Sequence, residues 1–274
     1  MKTFRLTITL IGCALLLLPV SCSIKEDRSE CPCLIHMDYS EVMSDRRLLS
    51  SNSPDSLLVI IRGLHSSIER PSEHPEGGRI FVSRTASLLS CYIGMTESRM
   101  SFGRNRLVIP VGEDADALFS FHRYLELGPD TEEVFVTPVM CYEHTSVILA
   151  FPREDGARDA DRRLVVTSSS CGLDLDTGEV IEGEFSCEMR RHGDCSWQFF
   201  MPRQARRDVR IEAPGRDGGV MFSVDLASEL VKAGYDFQAE SLPPVVVVSM
   251  SSDFVPTGVR ILDWEEYYTL DYIL

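Results

Sequence analysis

Lysine is nearly missing from this 274-residue chain: Lys2, Lys25 and Lys232 are the only three, so 24 of its 27 basic residues are Arg. Set against 42 acidic residues they leave a formal charge of −15 at pH 7. No stretch gathers the Arg residues into the basic surface that counterion release from a phosphate backbone requires, which argues against nucleic acid as a partner. Tryptophan is as sparse, with Trp197 and Trp264 alone. That leaves little of the aromatic platform on which a glycan-binding face is built, apart from the cluster Trp264, Tyr267, Tyr268 and Tyr272. The chain also lacks a Gly-x-Ser-x-Gly elbow, a phosphate loop and a His-Glu-x-x-His pair. Its six His are scattered, and a lone strand His such as His122 reads as structural. With no nucleophile, base and orienting group to assemble, the sequence reads as that of a non-enzyme that needs no cofactor.

Long apolar runs are absent after residue 20, and the one before it sets the compartment. Lys2 and Arg5 precede fifteen uncharged residues, Leu6 to Val20, followed by Ser21 and Cys22. As a helix that run spans about 22 Å, short of a roughly 30 Å hydrocarbon core, so it reads as a secretory signal peptide over residues 1–21. A Cys after a small residue at the end of such a run is where a bacterial lipoprotein is cut and acylated, and Cys22 is the expected lipidation site. Pro19 stands where Leu is usual. Leu10-Ile11-Gly12-Cys13 fits the consensus better, but a cut there would leave a very short apolar core and strand Ala14 to Val20 on the mature chain. Removing residues 1–21 takes the charge from −15 to −17. So anionic a body will not adsorb to anionic lipid, and attachment must then come from acyl chains on Cys22, each buried CH2 contributing about 0.8 kcal/mol.

Seven Cys remain once Cys13 and Cys22 are set aside, and an odd number leaves at least one free. Cys187 and Cys195 flank a polar segment containing Gly193 and could staple a hairpin, the alternative being two buried thiols on different strands. Cys187, His192 and Cys195 lack a fourth zinc ligand and a zinc spacing, so no metal is expected there. Asp174, Asp176, Glu179, Glu182 and Glu184 suggest calcium only until Gly178 and Phe185 are found at the required ligand positions. A solvated hairpin with an Asp-Thr-Gly turn accounts for them better.

Strand-like runs fill the rest: Leu57–Ile61, Leu88–Ile93, Arg106–Val111, Ala117–His122, Val134–Val139, Ser146–Phe151, Leu164–Thr167, Trp197–Met201, Val209–Glu212, Val220–Val224, Val245–Met250 and Val259–Leu262. Turn-prone clusters separate them, and about twelve strands at this spacing predict β-sandwiches. One short helix is expected over Val224–Ala233, with Asp225 near its start and Gly234 after it. The hydrophilic segment 153–163 predicts a linker between a first sandwich over 22–152 and a second over 164–274. Ser40 to Asp55 reads as a flexible stretch that exposes Arg46-Arg47, a site where cleavage would part the lipid from the body.

The segment Cys22-Ser23-Ile24-Lys25-Glu26-Asp27-Arg28-Ser29-Glu30-Cys31-Pro32-Cys33 resembles the start of the FimB-type fimbrial anchor lipoproteins of type V pili, in which the lipidated Cys precedes a Glu-Asp-Arg-Ser-x-Cys-Pro-Cys stretch. Ile261-Leu262-Asp263-Trp264 is similar to the Trp-containing last strand of fimbrial subunits. The resemblance implies an all-β chain of two transthyretin-like (Greek-key) β-sandwich domains in tandem. It also implies a non-enzymatic role: fixing a fimbria in the outer membrane, at the cell surface, and limiting its growth through strand exchange with shaft subunits. Donating a strand needs an extended end with alternating side chains, and Leu270, Tyr272 and Leu274 can share one face. A minor or tip subunit, an adhesin, and a stand-alone glycan-binding lipoprotein are the alternatives.

Overall fold

Alternation of apolar and polar side chains, which lets one face of a strand enter a core, sets most of the secondary structure. The computed structural model describes residues 31–50, 56–95, 105–152, 163–214, 219–263 and 265–266. Nine strands precede the first sandwich's end: β1 (Cys33–Met37), β2 (Leu57–Ile61), β3 (His65–Glu69), β4 (Gly78–Val82), β5 (Ser87–Ile93), β6 (Arg106–Val108), β7 (Phe119–Leu125), β8 (Glu133–Val136) and β9 (Cys141–Tyr142). Nine more follow: β10 (Thr145–Ala150), β11 (Val165–Asp174), β12 (Val180–Glu188), β13 (Arg190–Gly193), β14 (Ser196–Met201), β15 (Arg210–Pro214), β16 (Val220–Asp225), β17 (Val245–Met250) and β18 (Pro256–Leu262). Helices α1 (Ser40–Ser44), α2 (Arg46–Ser50) and α3 (Leu226–Lys232) complete the described elements.

The strands form two β-sandwiches in tandem. The first packs a three-stranded sheet, β4-β1-β8, against a five-stranded one, β3-β2-β5-β7-β9. The second packs β12-β11-β15-β16 against β13-β14-β10-β17-β18. Each sandwich holds one parallel pair, β1 with β8 and β10 with β17, among antiparallel neighbours. The short helix is where it was expected. Asp225 caps α3, its carboxylate accepting from the Ser228 backbone N–H at 3.0 Å and the Ser228 hydroxyl at 2.7 Å, and Gly234 follows at φ +86°.

The two sandwiches are stitched together. β6, from the first half of the chain, pairs antiparallel with β11 of the second sandwich. This close approach requires Gly172, because a Cβ there would lie 2.0 Å from the Leu107 carbonyl oxygen. β2 explains itself in the same way. Its unbroken Leu-Leu-Val-Ile-Ile run is buried throughout: Leu57, Val59 and Ile61 enter the sandwich core, while Leu58 and Ile60 join Tyr92, Met95, Leu107, Leu118, Leu173 and Leu175 in a second cluster between the sandwiches.

Three expectations are corrected and one is refined. The hydrophilic segment 153–163 does not divide the sandwiches, because β10 before it is a central strand between β14 and β17 beyond it. The sheets change hands at Glu143-His144; charge density marks a surface connection, not a boundary between cores. The acidic hairpin is found as expected, with the Gly178 N–H donating to the Asp174 carbonyl at 2.8 Å and Glu179, Glu182 and Glu184 exposed, but it also carries an apolar side. Leu173 and Leu175 alternate with its acids and are buried against the first sandwich. Ser40–Asp55 carries α1 and α2 in its described part, and only Arg46 of the Arg pair is exposed. Arg47 is half-buried, donating to Asp45 and to the Met140 carbonyl with its guanidinium 5.3 Å from the centre of the Tyr142 ring. The Cys187–Cys195 staple is absent: both are free thiols, as are all seven described Cys. Cys187 points into the core from β12, whereas Cys195 lies in the β13–β14 turn of the opposite sheet.

Candidate interaction surface

The densest polar cluster lies where the two sandwiches meet. Glu143 follows β9, buried, and accepts from the Arg203 guanidinium at 2.6 Å and from the Ser120 hydroxyl at 2.6 Å. Arg203 also donates to the carbonyls of Ala239 and Glu240 at 2.7 and 2.9 Å. His122, beside Ser120 on β7, stands 3.8 Å from Glu143 Oε1 and meets the Ser90 hydroxyl through Nδ1 at 3.1 Å. Burial alone would push the Glu143 carboxyl up, but the nearby His122 ring, the Arg203 cation and the hydrogen bonds from Ser120 and Arg203 outweigh it and hold the carboxyl at about 2. The neighbouring His144 is buried, which drives its pKa down despite a 2.6 Å hydrogen bond to the Asp116 carbonyl.

Ser90, His122 and Glu143 have the residue types of a hydrolytic triad but not its arrangement. Ser90 is 1% exposed, and Glu143 is already neutralised by Arg203. With Ser120 and His122 supplied by the first sandwich and Arg203 by the second, the cluster is a clamp between them. His122 therefore has a structural role, packed edge-on against Tyr92 with ring centres 5.5 Å apart.

Cys22 and the proposed donor positions Leu270, Tyr272 and Leu274 lie outside the described residues, as do Trp264, Tyr267 and Tyr268. The other tryptophan, Trp197, is buried in the second core and offers no platform to a sugar. No helix among the described residues is long and apolar enough to cross a membrane, which says nothing of β-barrels. Among the described residues no His, Cys, Asp and Glu side chains converge as a metal-ligand set.

Sequence reasoning missed the surface that the structure presents most openly. β1 is the middle strand of the β4-β1-β8 sheet, and its two neighbours are edges. Cys33, Ile35 and Met37 point inward. On the outer face Leu34 lies opposite Phe81 and Glu133, and His36 opposite Arg79 and Phe135. Phe81 is 66% exposed and Phe135 69%. The His36 ring stacks on Phe135 with centroids 4.5 Å apart, its Nε2 3.4 Å from Glu133 Oε2. Two exposed phenyl rings on a narrow sheet fit an apolar partner face; among the described residues no further strand pairs with β4 or β8, though on the β8 edge the Phe135 carbonyl already accepts from Arg123 at 3.1 Å. The signal was present: in Gly-Arg-Ile-Phe-Val, inward Ile80 and Val82 force Phe81 outward.

No family model and no curated protein matches the chain. Solved structures do. A candidate polysaccharide-binding protein of Bacteroides thetaiotaomicron superposes with a TM-score of 0.56 at 12% identity, over 86% of this chain and 99% of that one. A candidate adhesin from the same organism gives 0.54 at 13% identity, over 87% and 98%. The fimbrial anchor protein Mfa2 of Porphyromonas gingivalis gives 0.50 at 11% identity, over 85% and 98%. The chain thus has, across both sandwiches, the fold shared by these Bacteroides proteins and the Porphyromonas fimbrial anchor.

Proposed function

We propose that this chain is a non-enzymatic outer-membrane lipoprotein that fixes a fimbria at its base and limits or regulates its assembly by β-strand complementation with shaft subunits. The observation that carries this reading is the position of β1. It begins eleven residues after Cys22 and is the central strand of its sheet, hydrogen-bonded to β4 on one side and β8 on the other. A lipid on Cys22 would therefore be tied to the middle of a folded sandwich. Cleavage at Arg46-Arg47 would take the central strand with it and leave β4 and β8 unpaired. An anchor keeps such a strand. The half-buried, doubly tied Arg47 fits retention as well. The fold shared with a fimbrial anchor over 85% of this chain and 98% of that one supports the same reading. The open, phenyl-bearing β4-β1-β8 sheet also suits an adhesin or a minor or tip subunit, the second reading.

The test is a pull-down of the intact chain from detergent-solubilised outer membrane, alongside Cys22→Ala and a truncation after Trp264. Palmitate labelling and membrane fractionation are expected to be lost with Cys22→Ala. Ladders of fimbrial subunits are expected with the intact chain and not with the truncation. Ladders that survive truncation would move the contact to a groove. A labelled, membrane-bound chain with no subunits attached would overturn the anchor role.

A further inference from the structure

The outer face of the β13-β14-β10-β17-β18 sheet presents an unexpected strip. Val147, Leu149, Val246 and Val248 alternate into the second core. The residues between them point the other way, yet Ile148 is 1% exposed, Val245 2% and Val247 4%, with Leu262 at 3%. Together with half-buried Ala150 they form a cluster of their own, separate from the core. Its polar neighbours are closed off too. Gln198 and Ser146 are buried on the same face, joined by a 2.6 Å hydrogen bond from Gln198 Nε2 to Ser146 Oγ, and Arg190 Nε donates to Gln198 Oε1 at 3.3 Å. Among the described residues, no other hydrophobic side chain packs on the cluster.

We propose that this strip is the resting dock of residues 264–274 of the same chain. The strip ends at Leu262, the last residue of β18, so the segment that follows starts at its border. The chain turns there. The Glu266 N–H donates to Asp263 Oδ1 at 2.8 Å, and the Asp263 N–H returns to Glu266 Oε2 at 3.3 Å, a reciprocal cap that ends the strand direction in a helical turn. The composition fits an apolar strip: seven of these eleven residues are Trp264, Tyr267, Tyr268, Leu270, Tyr272, Ile273 and Leu274. The reach is sufficient. Eleven residues extend to about 36 Å, against about 19 Å across five strands. If this segment is also the strand given to a shaft subunit, the dock is where it is held until then. That deepens the proposed function by assigning it a resting state.

The two tryptophans make the test simple, and it needs no fimbrial partner, so its failure is distinct from failure of the anchor reading. In the full chain carrying Cys22→Ala, the spectrum of a Trp264→Phe variant is subtracted to leave the Trp264 emission; Trp197 stays in the core of both. Expected are a blue-shifted Trp264 component quenched by acrylamide several-fold more slowly than free tryptophan, and loss of both properties in Val247→Glu. Phe81→Glu, on the other sandwich, should leave them intact. Val247→Thr, close to valine in shape, carries the same test with a smaller red shift should the charged variant lose its circular dichroism. Trp264 quenched as fast as free tryptophan in the intact chain overturns the proposal. So does protection that folded strip variants do not change. Protection that appears only at concentrations where the chain dimerises assigns the strip to a second copy and likewise overturns it.

Discussion

The two sheets that carry a parallel pair treat their outer faces in opposite ways. On β4-β1-β8, Phe81 and Phe135 stand in solvent on the outer face of a narrow three-stranded sheet. On β13-β14-β10-β17-β18, the smaller Ile148, Val245 and Val247 are sealed. Hydrophobicity alone does not decide exposure: larger apolar side chains are open where smaller ones are closed. A surface kept open at the cost of two solvated phenyl rings is one that a partner can use, whereas a closed strip is already satisfied. The first sandwich therefore presents an open outer face, and the second a closed one.

That contrast presupposes a fixed frame, and the strongest way to break it is through the clamp. Arg203→Ala leaves the Glu143 carboxylate buried with only Ser120 and His122 as partners. Removing one member of a buried ion pair costs about 3–5 kcal/mol, and urea unfolding should show a loss of that size. The control is Arg206→Ala, which removes an exposed partner of Glu182. That change should cost under about 0.5 kcal/mol. Equal, small losses in both variants would mean that the clamp does not hold the sandwiches.

Acid tests the same clamp without mutation. A carboxyl held at about 2 in the folded chain and titrating near 4.5 when unfolded contributes stability that is full above 4.5 and lost as pH falls towards 2. The loss is on the order of 3 kcal/mol. His144 acts in the same direction at higher pH: its folded pKa lies below 6.5, so the unfolded chain takes up the proton first and stability starts to fall below that value. The urea midpoint should drop in two stages, below 6.5 and again below 4.5, and Glu143→Gln should flatten the lower stage. A flat profile between 4.5 and 2 in the parent chain would contradict the Glu143 assignment.

Strands with a one-sided or fully apolar pattern were legible: Leu57–Ile61 and Val245–Met250 have the bounds the sequence predicts. The helix was legible because Asp225 and Gly234 punctuate it. What escaped were strands whose outward residues are polar or whose apolar run is short. β3 reads His-Ser-Ser-Ile-Glu, and β12 has its apolar residues broken up by Glu182, Gly183, Glu184 and Ser186. Both are edge strands held by the ladder of a hairpin neighbour, β3 on β2 and β12 on β11, and an edge strand with little side-chain burial leaves a weak local pattern. The domain boundary escaped for another reason, a long-range pairing. A parallel partner such as β17 lies about a hundred residues from β10, and local charge at 153–163 carries no trace of that pairing. The clamp was invisible too, because Ser120, Glu143 and Arg203 acquire meaning only when two sandwiches meet.

The smallest expected effect sharpens the contrast most. Phe81→Ser and Phe135→Ser remove side chains that are already two-thirds exposed, so folding stability should change by less than about 0.5 kcal/mol each. Phe135→Ser should also release the His36 ring from its stack, visible as a shift of the imidazole proton resonances. Any loss of subunit binding in these variants could then be ascribed to the surface and not to unfolding. The opposite result has an equally definite meaning. A loss of 2 kcal/mol or more from either change would show that the rings are covered at rest. The two outer faces would then be alike, and the open sheet would no longer be the place where a partner adds.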